Sequence, residues 1–199
     1  MKRKSSAREK LLDAAFEEIY INGYAATSVD TILQKAGVPK GSLYHHFGSK
    51  KALVLAMVKE RLFTKMDQFF MFEKKPGCSV YESFRKTFAA VSKNRLLITY
   101  GCPLYRLMVE LSPVDHDFDK LLLTKYEEMQ KGIASLLHAG IESGEFTEDL
   151  DADKFARFML SASWGILSLS PSISSPKAFL EQSGYIFKIL EGYSHNGGQ

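Results

Sequence analysis

Apolar and polar positions in the first seventy residues alternate in short blocks that a helix period explains and a strand period does not. Between Ala7 and Asn22, the residues Leu12, Phe16 and Ile19 recur at i, i+4 and i+7, one stripe of an amphipathic helix, and Gly23 supplies a left-handed stop. Thr27 and Ser28 are natural N-caps, and Asp30 follows Thr27 by three residues as in a capping box. Val29, Ile32, Leu33 and Ala36 then predict a second helix ending at Gly37. Pro39 suits the start of a third helix. Gly48 and Ser49 interrupt before a fourth, predicted from near Lys50 to about Phe72.

The third helix is unlike its neighbours. In "GVPKGSLYHHFGSKKAL", Leu43 and Phe47 share one side, while Gly41, Ser42, Tyr44 and His45 spread over the rest. Two apolar anchors hold it and the other residues face outward. A DNA groove and its bordering phosphates explain that assortment: small residues permit close approach, and Lys and Tyr reach phosphate oxygens. With the tight turn "AGVPKG" before it, the segment has the layout of a helix-turn-helix. Adjacent helical residues point about 100° apart, so His45 and His46 do not converge on one metal ion.

Beyond "KKPGCS" the pattern stays helical through "SVYESFRKTFAAVSKNRL", "PLYRLMVELS", a long segment from about Phe118 to Ser143, and two further segments near 152–169 and 176–193. The expected class is all-α, with a helix-turn-helix domain over residues 1–50 and a helical domain over 51–199. No internal repeat interrupts it.

Charge sharpens this division. Residues 1–65 hold 12 Lys and Arg against 6 Asp and Glu, a net +6 in a chain whose total is +3, so the polyanion-seeking part is the first third. The 199 residues are 45% hydrophobic, enough for a sizeable core. Two cysteines give no disulfide framework and no zinc spacing, which points to a reducing cytoplasm. The basic start is followed by Asp13, Glu17 and Glu18 where an export signal needs apolar residues. The uncharged run from Phe158 to Pro176 contains seven serines and two prolines, and predicts a helix followed by a loop rather than a membrane span.

"TSVDTILQKAGVPKGSLYHHFGSKKAL" resembles the N-terminal signature of the TetR family of bacterial transcriptional repressors: an opening Thr or Ser, an "AGV" turn, a "KGxLYxHF" recognition helix and an "SKxxL" start to the fourth helix. The resemblance implies phosphate contacts from Thr27, Tyr44, His46 and Lys50, with Ser28 beside them, and base or groove contacts from Lys40, Gly41, Ser42 and His45. It also implies a homodimer on double-stranded operator DNA, a small-molecule effector, and no cofactor.

A single short helix reads few base pairs, so the working form expected is a two-fold dimer on half-sites about 34 to 36 Å apart or a multiple of that. Phe155, Phe158, Met159, Ala162, Trp164 and Leu167, with Phe179, Ile186, Phe187, Ile189 and Leu190, offer the apolar surface for the family's helical dimer interface. Candidate effector contacts are Phe63, Met66, Phe69, Phe70, Phe84, Phe88, Tyr100, Cys102, Tyr105, Met108 and Tyr126, among which ordinary core residues are expected. Cys102 precedes Pro103 at a predicted helix N-terminus, a setting that lowers a thiol pKa, and its "YGCPLYRLMVELS" segment resembles a subset of the family that includes the electrophile sensor NemR. A small buried structural cysteine is the competing reading.

Two other functions compete. "VDHDFD" offers His116 among carboxylates, but no nucleophile or second ligand pattern accompanies it, so an acidic helix start accounts for it and no enzyme is expected. A helical interaction module without DNA binding would be indifferent to changes in the short third helix.

Overall fold

The computed structural model describes residues 6–70, 72–169 and 173–194, with the side chain of Phe69 outside the described set. Its described residues form α1 (Ala7–Asn22), α2 (Val29–Ala36), α3 (Lys40–His46), α4 (Lys50–Met57), a π-helical turn (Val58–Leu62), α5 (Phe63–Phe69), α6 (Val80–Ser92), α7 (Arg95–Tyr100), α8 (Pro103–Leu111), α9 (His116–Glu142), α10 (Ala152–Leu167) and α11 (Pro176–Glu191). The fold is all-α, as the apolar periodicity predicts. No helix among the described residues is long and apolar enough to cross a membrane.

Three local expectations change. Ser28, not Thr27, caps α2, its hydroxyl accepting the Thr31 N–H at 3.0 Å, because Thr27 is buried. The predicted fourth helix contains a π-helical turn in its middle. The segment expected as one helix through Leu96 breaks at Asn94, whose side-chain oxygen accepts from the Leu96 and Leu97 N–H groups and starts α7.

The chain divides into two compact units, Met1–Gln68 with Arg106–Leu123, and Phe69–Tyr105 with Thr124–Gln199. In the first, α1 packs against α2, α3, α4 and the π-helical turn. The expected stripe of Leu12, Phe16 and Ile19 is buried, joined by Leu11 and Ala15, and faces Ile32 and Leu33 of α2, Leu43 of α3 and Leu53 and Val54 of α4. Each of the Leu, Ile, Val and Phe side chains among these contributes about 1.5–3 kcal/mol relative to exposure. Arg8 donates to Glu60 at 2.8 Å and Arg61 to Asp13 at 2.6 Å, ion pairs between α1 and the π-helical turn that are worth only about 0–1 kcal/mol each at this exposure.

The turn between α1 and α2 is held from α8. Glu110 accepts the Tyr24 and Ala25 N–H groups at 2.9 and 2.7 Å, satisfying two backbone donors with one carboxylate. Gly23 is required here twice over: its φ is 85°, and a Cβ would stand 3.1 Å from Glu110 Oε2.

The second unit packs α6 and α10 against α11. Glu145 takes the Val80 and Tyr81 N–H groups, each at 2.7 Å, and Ser79 and Glu82 form a reciprocal capping box, so the start of α6 is closed from two sides. Phe88 stacks on Phe179 at 5.8 Å and meets Phe187 edge-on at 4.9 Å. These rings form the aromatic centre of the unit.

Candidate DNA interface and effector cavity

Gly37 ends α2 with a left-handed φ of 62°, and Pro39 precedes the first residue of α3. Leu43 is the one buried residue on that seven-residue helix, fully enclosed by the first unit's core, and Phe47 just beyond it is half-buried under the Arg8 guanidinium, 5.4 Å from the ring centre. Lys40, Gly41, Tyr44, His45 and His46 are exposed and Ser42 is partly so. No atom lies within 4 Å of where a Cβ on Gly41 would be, so internal packing does not demand glycine there. The His45 and His46 rings meet edge to face at 4.9 Å, and Lys40 sits 3.6 Å from Asp30.

Two predicted contact residues point inward. The Thr27 hydroxyl donates to the Gly23 carbonyl at 2.7 Å, and its side chain is buried. Lys50 donates to the Tyr24 carbonyl at 2.6 Å and lies 4.1 Å from the centre of the Tyr24 ring. Burial lowers its pKa, with Glu110 opposing the shift. Both residues brace the turn that Glu110 holds. Neighbouring Lys51 pairs with Asp115 and Asp117 at 2.8 and 2.7 Å, and these carboxylates raise its pKa. The acidic "VDHDFD" segment therefore has a structural use, with the Asp115 carboxylate accepting the Asp117 N–H at the start of α9.

The second unit contains a small apolar cavity, partly open to solvent, with room of about 20 Å³ for the centres of water-sized spheres. Its walls are Phe70, Phe72, Thr87, Phe88, Val91, Ile133, Met159, Leu160, Ser163, Trp164, Leu167 and Phe179. Of the candidate effector contacts, Phe70 and Phe88 line it. Phe84 is buried behind Phe72, 6.4 Å between ring centres, and Tyr105 and Tyr126 pack on Trp164 at 5.2 and 5.6 Å. Tyr100 is half-buried outside the wall. Phe63, Met66 and Met108 belong to the other compact unit and are not wall residues, and Phe69 lies outside the described side chains. Thr87 and Ser163, polar residues within apolar stripes, were the available sequence signal for the walls that the pattern missed.

Met159, Trp164 and Phe179, expected at a dimer surface, line the cavity, and Phe155, Leu167, Ile186, Phe187 and Leu190 are also buried within the chain. Phe158 and Ile189 are exposed, with Ala162 partly so, and Leu180 and Tyr185 add to the apolar surface of α10 and α11.

Cys102 is completely buried, in line with the structural one of its two expected readings. The Leu104 and Tyr105 N–H groups at the start of α8 and the Trp164 side chain favour its thiolate, but complete burial outweighs them and pushes the thiol up to about 11. The helix-terminus rule is sound and too small here. A thiol so placed stays protonated at neutral pH, as a structural cysteine does.

An exposed short helix on a three-helix core, followed in the chain by a further helical unit, is the arrangement of a helix-turn-helix transcriptional regulator. Two family models match the chain: bacterial regulatory proteins of the tetR family over residues 11–57, and the tetracyclin repressor-like C-terminal domain over residues 82–179. The HTH-type transcriptional regulator of the lacX 3′ region in Lactococcus lactis subsp. lactis is 32% identical over 138 residues, 67% of this chain and 69% of that protein. The HTH-type transcriptional repressor KstR2 of Mycolicibacterium smegmatis is 28% identical over 163 residues, covering 80% and 77%. The crystal structure of regulatory protein TetR from Rhodobacter sphaeroides superposes with a TM-score of 0.81 at 25% identity, over 92% of this chain and 98% of that one. The chain belongs to the TetR family and is a transcriptional regulator, not an enzyme. Reduced Escherichia coli NemR shares the fold at a TM-score of 0.77 and 18% identity, over 90% of this chain and 94% of that one; this likeness is one of fold alone.

Proposed function

We propose that this chain is a cytoplasmic repressor that holds a near-palindromic operator as a homodimer and leaves it when a small effector fills the cavity. The outward set Lys40, Gly41, Ser42, Tyr44, His45 and His46 on a helix anchored by Leu43 carries the DNA reading. Phe158, Leu180, Tyr185 and Ile189 are the apolar residues left for the partner protomer to cover. The effector is a reversible ligand rather than one that reacts with Cys102, which is completely buried.

Fluorescence anisotropy with DNA from upstream of the chain's own gene tests the DNA reading. Lys40→Ala and Tyr44→Ala each weaken binding, and Lys40→Ala, which removes a positive charge, also flattens its salt dependence by about one unit of slope. Neither changes stability by more than about 0.5 kcal/mol. Undiminished affinity in both folded variants would remove α3 from the interface.

A further inference from the structure

Between Glu18 and Glu60 the chain carries one acidic residue, Asp30, against five lysines. The other acids of residues 1–65 tie helices together: Glu9, Asp13 and Glu60 pair with Arg61 and Arg8 between α1 and the π-helical turn, and Glu17 and Glu18 hold Lys35 of α2. Asp30 is placed differently. It does not cap α2, a task that Ser28 performs, and its carboxylate is 80% exposed, 3.6 Å from the Nζ of Lys40, whose own side chain is 62% exposed. Among the described residues Lys40 is its partner, and a pair so open to water adds little to stability.

We infer that Asp30 and Lys40 read one base pair together: Lys40 donates to O6 and N7 of a guanine, and Asp30 accepts the N4–H of the cytosine paired with it. Each half-site then contains a G·C pair in one fixed orientation that these two residues select. The inference rests on reading α3 as the DNA-contacting helix.

The carboxylate is the informative half. A surface that only attracts phosphates gains nothing from a negative group beside its lysine, because that group repels the backbone of every sequence alike. A base edge differs. In the major groove only cytosine N4 and adenine N6 offer a carboxylate a proton, whereas an ammonium alone donates to guanine O6 or N7, adenine N7, thymine O4 or a phosphate. With Asp30 held beside Lys40, acceptor and donor must be met together. On a G·C pair, O6 and N4 are hydrogen-bonded to each other about 2.9 Å apart, with N7 on the other side of O6. A lysine and a carboxylate 3.6 Å apart match that edge, the ammonium over O6 and N7 and the carboxylate at N4. An A·T pair gives the ammonium thymine O4 alone beside the adenine amino group. The reversed G·C pair sets the carboxylate against guanine lone pairs and the ammonium against an amino group. Asp30 thus lowers affinity for DNA in general and sharpens the choice among sequences.

Full-length wild type is used to select sites from a pool of random DNA duplexes, and the selected half-site is then varied one base pair at a time in anisotropy titrations at fixed salt. The same duplexes are titrated with Asp30→Ala, Lys40→Ala and the double variant, folding being checked by circular dichroism. Wild type should favour G·C at one position of each half-site by about tenfold or more over the other three base pairs. Asp30→Ala should bind random duplex more tightly and reduce that preference to about threefold or less, with the remaining positions unchanged. Lys40→Ala should relax the same position, and the double variant should relax it no further. Full discrimination in folded Asp30→Ala, relaxation at a pair other than G·C, or relaxation by the two single variants at different positions overturns the inference. So does a lower melting temperature in Asp30→Ala with base preference intact, which would leave the residue a purely structural role at the start of α2. A wild type that selects no sequence takes the reading of α3 down as well. A wild type that selects a site and is weakened by Tyr44→Ala, while Asp30→Ala discriminates as before, sinks the inference alone.

Discussion

Helices α3 and α10 put their residues to opposite uses. On α3 one residue of seven is buried and the rest are exposed or partly so, whereas α10 buries seven of sixteen and turns several of those towards a cavity. A DNA-reading surface is a contiguous run of sequence displayed on a small anchor. An effector cavity is assembled from distant stretches, and its walls look in sequence like any other core. The first is sensitive to the anchor and to the groups it displays; the second is sensitive to the packing behind its walls.

Removing the anchor tests this contrast most severely. Leu43→Ala deletes the only buried side chain of α3 and should cost about 2–5 kcal/mol in chemical denaturation, with loss of DNA binding. Retained DNA affinity in that variant would break the comparison. Glu110→Ala leaves the two N–H groups of the α1–α2 turn without their acceptor, an expected loss of about 1.5–3 kcal/mol by thermal unfolding and weaker operator binding. If its DNA affinity is unchanged, Lys50 and Thr27 suffice to hold the turn.

Alkaline titration probes the other side of the comparison. The Cys102 thiol moves from 9.0 to about 11 on folding, so between those values the folded chain binds more protons and stability falls as pH rises. Below pH 9 both states carry the proton and no dependence arises from this group. Tyr81, raised from 10.0 to about 12 by burial and by its hydrogen bond to Glu191, extends the decline. Cys102→Val should flatten the lower part of the stability profile and Tyr81→Phe the upper part, as measured by urea unfolding from pH 8 to 12. The smallest effect is one of order in time: alkylation followed by mass spectrometry should modify Cys78 before Cys102, because Cys78 is partly exposed, with Lys86 at 2.8 Å from its sulfur, and Cys102 is enclosed.

The helical class, the turn at Gly37 and the outward face of α3 were legible because each depends on neighbours within a few residues. The same local signals are ambiguous where two residues qualify. Thr27 and Ser28 both can cap, and tertiary packing chose Ser28 by burying Thr27. Cys102 shows a local rule overruled in magnitude, since burial outweighs the N–H groups at the helix start. The cavity was the least legible region. Phe72, Thr87, Ile133 and Phe179 meet only after α6, α9, α10 and α11 have packed, and nothing in their spacing announces it.

The π-helical turn at Val58–Leu62 bears on phase. Buried residues Val58, Leu62 and Met66 follow one another at intervals of four. In an unbroken α-helix each such interval overshoots a full turn by about 40°, so the stripe would creep around the cylinder. A wider turn winds some of that angle back, keeping later side chains aligned with earlier ones. The chain thus accommodates what amounts to an extra residue without breaking its helix, a vernier adjustment written into one loop of the spiral.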